Sequence, residues 1–353
     1  MAKIIHVANF SPKTKGSSFF HAPAVKLTNG LIRNGHAVVT FSDRDVARAS
    51  SLLGHRKFGI RGANDKLRDL CREVQPHLLL LGHADVIRPD NIADIRRELP
   101  AIRVLQWNVD AGFEPDNIRR ISSKLEVVDA TLVTTAGKAL QPLWRKDKLL
   151  GFMPNAVDYS IESGRAHEHA DLPYDLLYGF GNPWLARFVA GKDYPMENLL
   201  QIIEQGVPGL RLRIAGMRGF PYLRSAAYEE ALATSACGIS IGRRNDVYLY
   251  ASDRLAHMCG NGMAILIDRA TGYGDFFSDK EFSFFATAGE LIENLRKLIA
   301  DKPYRQALAA AGRARYHALF NEQIVARYIM EVAFGTLRES DYIWPTLFKG
   351  GAA

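Results

Sequence analysis

The chain is poor in cysteine, with three in 353 residues: Cys71, Cys237 and Cys259. They lie far apart and form no Cys-x-x-Cys pair, which argues against a disulfide framework and against a zinc site. No stretch of about 18 apolar residues occurs, so no membrane-spanning helix is expected. The opening MAKIIHVANF lacks the long apolar run and cleavage site of a signal peptide. A cytoplasmic location is the expectation that follows. Runs of like charge are also missing. The formal net charge is +7, but its densest groups are only Arg96-Arg97, Arg119-Arg120 and Arg243-Arg244, too short for a nucleic-acid arm. Basic and aromatic residues do not interleave as single-strand binders require. What is plentiful is apolar residues, at 47%, enough to bury a sizeable core.

Short apolar runs alternate with helical spacing. Strands are expected at 4–10, 37–41, 77–81, 102–107, 129–134 and 149–153, with helices at 20–33, 65–74 and 92–98. The alternation pauses over the polar stretch 158–173, which reads as a linker. It then resumes, with strands at 175–179, 210–215, 238–241, 264–267 and 282–285 and helices at 290–300 and 303–319. Such alternation means βαβ units and parallel sheets. The expected architecture is α/β, two Rossmann-like doubly wound domains over 1–157 and 158–335, followed by a tail over 336–353.

In open parallel sheets ligands gather at the carboxyl ends of the strands. Four such ends in the second half stand out. Gly179-Phe180-Gly181-Asn182 lets backbone approach a ligand, but Leu185 sits near the place of a third glycine, which disfavours a nicotinamide dehydrogenase. Gly216-Met217-Arg218-Gly219 offers an arginine able to grip phosphate bidentately. Gly242-Arg243-Arg244-Asn245 adds two more. Ser252-Asp253-Arg254 enters a helix, with Ser252 as the expected N-cap; Arg254 opposes the helix dipole there, and an anion at that end would explain it. Together they describe a pocket for a diphosphate or another doubly charged group.

Three segments carry a family resemblance. Met153-Pro154-Asn155-Ala156-Val157-Asp158 is similar to a PNGVD segment. Arg254 to Gly262, followed by Met263 to Ile267, is similar to an R-x-x-E-A-x-x-x-G helix and its strand. Phe284-Phe285, Glu290-Leu291, Asp301, Arg305 and Gly312-Arg313 follow the same ending. These resemble the GT-B glycosyltransferases, in particular the glycosyl transferases group 1 and CgeB-like C-terminal domains, over roughly residues 150–330. The resemblance implies two domains facing a cleft and transfer of a sugar from a nucleotide donor held by the second domain. The acceptor would be a glycan, a lipid-linked or another small molecule, as in bacterial envelope polysaccharide or glycoconjugate synthesis. Where the family helix carries a ribose-binding Glu, this chain has His257.

No Asp-x-Asp triplet suited to a divalent ion is present, and no cofactor or metal is expected. Arginines would stabilise the leaving phosphate instead, with Arg218, Arg243 and Arg254 as the candidates. The donor expected first is a UDP-, GDP- or dTDP-sugar; the histidine leaves room for a CMP-sugar. The acceptor side falls to the first domain, at Gly16, Ser17 and Ser18 with His21 close behind, at His83 and Asp85, and at Asp110. An inverting enzyme needs a general base. Asp110, Asp85, His83 and His21 all suit, and Asp110 is favoured as a carboxylate at a strand tip. The basic balance suggests peripheral contact with an anionic membrane at its inner face. A non-hydrolysing sugar-nucleotide epimerase on the same fold is the main alternative reading, and a non-catalytic RNA-binding protein the other.

Overall fold

The computed structural model describes residues 1–10 and 21–350. The chain divides into two compact units. One holds the start of the chain, Ala22–Pro154 and everything from Glu322 on; the other holds Asn155–Asn321 together with His21.

The first unit contains β1 (Lys3–Ala8), β2 (Ala37–Ser42), β3 (Leu78–Gly82), β4 (Arg103–Asn108), β5 (Ala130–Val133) and β6 (Leu149–Phe152). All pair in parallel, in the order β2-β1-β3-β4-β5-β6. Strand β3 is four leucines and a glycine, every residue buried, as a strand covered on both faces must be. Helices α1 (Pro23–Arg33), α2 (Asp43–Ala49), α3 (Ile60–Val74), α4 (Pro89–Glu98) and α5 (Pro115–Ser122) connect the strands. Three of them begin with proline, whose missing N–H costs nothing in the first turn. Helix α1 ends as its sequence suggests, with Asn34 as C-cap and Gly35 at φ 82°.

Two differences from the sequence reading concern boundaries. Helix α11 (Glu322–Phe334) belongs to the first unit, not to a second domain running to 335. It lies against α1: Arg33 pairs with Glu322 at 2.6 Å, and a Cβ on Gly30 would collide with the Glu322 carbonyl. The tail after it docks too. Phe348 N–H donates to the Leu150 carbonyl, Phe152 N–H and the Tyr328 hydroxyl both donate to the Thr346 carbonyl, and Tyr342 and Trp344 are buried. The tail thereby covers β6, the outer strand of the sheet. The stretch 158–173, expected as a linker, is instead packed into the second unit. Asp158 and Glu162 are fully buried, and the Asp158 amide donates to Glu162 Oε2 at 2.8 Å.

A buried chain of hydrogen bonds crosses the first unit. Trp107 Nε1–H donates to His6 Nε2 at 3.1 Å, His6 Nδ1 meets the Thr28 hydroxyl at 2.9 Å, and that hydroxyl donates to the Ala24 carbonyl. His6 is therefore a neutral imidazole with its proton on Nδ1. Burial pushes its pKa down to about 3, and a second proton on Nε2 would face the Trp107 N–H. An unfolded histidine takes up its proton near pH 6.5, so the unfolded chain binds more protons between there and about pH 3. Stability is then lost as pH falls through that window, by about 5 kcal/mol from His6 alone. Melting temperature measured from pH 7 to 4 is expected to drop steeply, and the slope to flatten in His6→Gln.

The second unit contains β7 (Tyr174–Gly179), the short antiparallel pair β8 (Arg187–Val189) and β9 (Lys192–Tyr194), β10 (Leu212–Ala215), β11 (Ser235–Ser240), β12 (Ala264–Asp268) and β13 (Ser283–Phe285). The main sheet is parallel, in the order β10-β7-β11-β12-β13. Its helices are α6 (Met196–Gly206), α7 (Ala226–Thr234), α8 (Arg254–Gly260), α9 (Ala288–Ala300) and α10 (Lys302–Phe320). Thr287 caps α9 by accepting the Glu290 amide while Glu290 accepts the Ala286 amide, and Asp301 caps α10. No helix among the described residues is long and apolar enough to cross a membrane.

Candidate functional site

In the second unit the chain leaves β7 toward β10 on one side and then returns to β11 on the other. The carboxyl ends of β7 and β11 therefore diverge, which is where open α/β sheets bind ligands. Phe180, just past β7, is buried there. Two guanidinium groups flank its ring: Arg187 Cζ at 4.8 Å and Arg254 Cζ at 5.2 Å from the centroid. Arg254 donates to the Ile241 carbonyl at the end of β11, at 3.0 Å. Arg187 is 5% exposed, donates to the Asn182 carbonyl at 3.2 Å, and leaves Nε without a partner. Burial, then the charges of Arg254 and Arg243, bring its pKa down to about 10. Among the described residues no carboxylate lies within ion-pair distance of Arg187 or Arg254. Buried positive charge without a counter-ion is costly, and an anion at the switch point would relieve it.

Helix α8 carries the site onward. His257 lies one turn after Arg254 and is buried. Its Nδ1 is 3.1 Å from the Tyr228 hydroxyl and its Nε2 3.1 Å from the His21 carbonyl. Burial pushes the Tyr228 phenol well up, so it stays protonated and donates to Nδ1. His21 is 3% exposed, with its ring 5.0 Å from that of His257. Its Nδ1 is 3.5 Å from Glu162 Oε1; its Nε2 has no hydrogen-bond partner, with Glu229 Oε1 at 3.8 Å. This is an imidazole held by a carboxylate, with its second nitrogen buried and unpaired. His21, Glu162 and His257 also bring donor atoms within 4.8 Å of one another. A cation there would have to displace hydrogen bonds that already occupy both nitrogens of His257, so the trio fits an imidazole relay better than a metal.

The other expected residues fall as follows. Arg218 lies between Glu197 and Glu204 of α6, at 2.6 to 2.9 Å, and is neutralised; it is not part of the cationic cluster. Arg244 pairs with Asp246 and stacks on Phe188 instead. Arg243 acts on Arg187 through its charge. Gly179 and Gly216 are set by packing rather than by a ligand: a Cβ would meet Ala215 at 2.8 Å and Tyr222 at 2.6 Å. Gly181 faces open space, and Asn182 closes a turn by accepting the Trp184 amide. Ser252 is not the cap of α8. Asp253 holds that position in helical backbone, without a side-chain cap, and the Ser252 hydroxyl donates to Asp253 at 3.0 Å. His257 faces Tyr228 and His21 rather than standing free for a ribose. His83, Asp85 and Asp110 do gather in the first unit, but in ion pairs: Asp85 with Arg44, Asp110 with Arg120 at 2.8 Å and with His83 at 3.6 Å. Burial pushes the Asp85 carboxyl up, and Arg44 with His83 more than offset it, leaving it below its usual range. Gly16, Ser17 and Ser18 lie outside the described residues.

A glycosyl transferase-like family model matches residues 192–331, which span α6 to α11. The chain has the GT-B fold and a glycosyl transferase-like domain. Sucrose-phosphate synthase from Thermosynechococcus elongatus superimposes with a TM-score of 0.63 at 13% identity, over 95% of this chain and 99% of that one. Anabaena HepE in complex with UDP and glucose does so with 0.57 at 12%, over 96% and 100%. Its complex with UDP-glucose gives 0.56 at 10%, over 96% and 100%. No curated protein matches the sequence. The expected fold thus stands, and the glycosyl transferase-like match over 192–331 contains two of the three segments that carried the resemblance.

Proposed function

We propose that this GT-B protein transfers a sugar from a nucleotide-sugar donor to a carbohydrate or lipid-linked acceptor, without a metal ion. The observation that carries this is the un-neutralised pair Arg187 and Arg254 around Phe180 at the switch point of the second unit. The donor diphosphate takes the place of their missing counter-ion. The acceptor hydroxyl gives its proton to His21 Nε2 as its oxygen bonds the anomeric carbon. The bond from that carbon to the donor phosphate oxygen breaks, and the arginines hold the charge that develops there. The imidazolium formed on His21 is stabilised by Glu162 and Glu229 on either side, the role a carboxylate plays in a catalytic triad. Attack by a deprotonated acceptor inverts the anomeric centre. A UDP-sugar is the first donor to try, since HepE holds UDP and UDP-glucose on this fold.

The test is a melting-temperature screen against UDP, GDP, dTDP, CMP and ADP. A nucleotide present at about 100 times its Kd adds about 2.7 kcal/mol to stability, so one base should stand out by several degrees. EDTA is expected to leave that shift unchanged. A flat response to all five overturns the proposal. Product analysis with the selected nucleotide's sugars then separates transfer from epimerisation, because a free epimer formed without acceptor would contradict transfer.

A further inference from the structure

Five large apolar side chains in the described residues are more than two-thirds exposed, and three of them sit within seven positions. Leu52 is 107% exposed, Leu53 81% and Phe58 72%. They crown the connection between α2 and α3. From Val46 to Asn64 this stretch contains no Asp or Glu, yet it carries Arg48, His55, Arg56, Lys57 and Arg61. Arg48 is paired with Asp45 at 2.8 Å, and Arg61 reaches Asp65 only at 3.9 Å. Arg56 and Lys57 form no ion pair among the described residues.

The protrusion is built on a firm base. Gly54 takes a left-handed φ of 63° to turn the chain directly after the leucines. Residues Arg56–Gly59 form a short 3-10 helix pressed on α2, where a Cβ on Gly59 would lie 1.7 Å from the Ala47 carbonyl. A Cβ on Gly62 would lie 2.7 Å from the Ser50 Cβ. Beneath, Ala47 and Ala63 are fully buried in the core of the first unit, and Ile60 packs on it. The sequence thus spends packed glycines to hold three apolar side chains out in water.

We propose that this protrusion is the contact by which the protein docks on an anionic lipid surface. Its shape decides between partners. A protein-binding hot spot fills a pocket and is flanked by residues that exclude water, whereas these side chains project almost completely from a convex turn. Projecting Leu and Phe beside unpaired cations match the headgroup boundary, where apolar groups insert and basic groups meet lipid phosphate. An acceptor on a lipid carrier would be met at that surface. The site is separate from the arginine and histidine cluster, so the two proposals stand or fall independently.

The experiment uses the full chain with vesicles of phosphatidylcholine alone and of equimolar phosphatidylcholine and phosphatidylglycerol, sedimented at 50 and 500 mM NaCl. Binding to the anionic vesicles is expected to be stronger by on the order of tenfold than to neutral ones, and to weaken in high salt. Arg56→Glu/Lys57→Glu and Leu52→Ser/Leu53→Ser/Phe58→Ser should each lose it, with the nucleotide-induced melting shift unchanged. Should the triple variant misfold by circular dichroism, Leu52→Ser alone, at a fully exposed position, should still weaken binding severalfold. No preference for anionic vesicles, or variants that bind like the parent, would overturn the proposal. So would self-association in gel filtration that the triple variant abolishes while vesicles are ignored, since the face would then belong to a second copy of the chain.

Discussion

Replacing His21 by alanine is expected to lower turnover by about two to four orders of magnitude, the usual contribution of a positioned general base, while the nucleotide-induced melting shift survives. The expectation rests on the asymmetry of the imidazole. One nitrogen faces Glu162 Oε1 at 3.5 Å; the other is buried and has no hydrogen-bond partner. A histidine placed for packing alone would have both nitrogens satisfied, as His6 does. Glu162→Gln keeps the shape but removes the charge that fixes the tautomer and supports the imidazolium, so it should lose rate while still binding nucleotide. It should also melt earlier, because Glu162 accepts the Asp158 amide inside the core. If His21→Ala retains turnover within tenfold of the parent and Asp110→Asn does not, the base is the strand-tip aspartate favoured on sequence grounds.

The contrast between these two residues shows what sequence makes legible here. Strand tips are readable because alternating apolar runs mark their own ends, and so His83, Asp85 and Asp110 read as strand-end residues; the pairing of β3 with β4 is what brings them together. Their pairing with Arg120 and Arg44 was not readable, because Arg44 is 41 residues from Asp85 and meets it only through the sheet order. Arg218 failed for the same reason. A glycine-flanked arginine after a strand looks like a phosphate ligand until α6 brings Glu197 and Glu204 around it. Glu162 was hidden by composition: a polar stretch with Gly and Pro reads as a linker, yet Asp158 and Glu162 within it are buried, Glu162 against Gly260 of α8 and Arg313 of α10. Arg187 lay in a hairpin too short to give any period. The one available signal was a lone arginine close after the Gly-Phe-Gly-Asn turn, and only the ring of Phe180 makes sense of it.

Arg187 is also where function and stability should part company. At neutral pH its guanidinium stays charged, although burial and two neighbouring arginines make that charge unfavourable. Arg187→Met keeps the volume and removes the charge, so the unliganded protein should become more stable by about 1–3 kcal/mol. The same variant should lose about 10² to 10³ in turnover, the cost of deleting one group that stabilises developing charge. Arg254→Met should do likewise for catalysis, with less gain in stability because that side chain is less buried. The opposite signs are the discriminating feature: an arginine kept for structural reasons would lose stability when removed. Arg218→Met supplies the contrast. Its charge is already balanced by Glu197 and Glu204, so it should leave donor affinity alone. A diphosphate also predicts a ladder of ligands. UDP should raise the melting temperature well above UMP in the parent, because only the diphosphate spans the cluster, and this difference should collapse in Arg187→Met and Arg254→Met. Equal shifts from UMP and UDP in the parent, or a less stable Arg187→Met with full activity, would move the anion away from Phe180 and leave the buried guanidinium as a structural group.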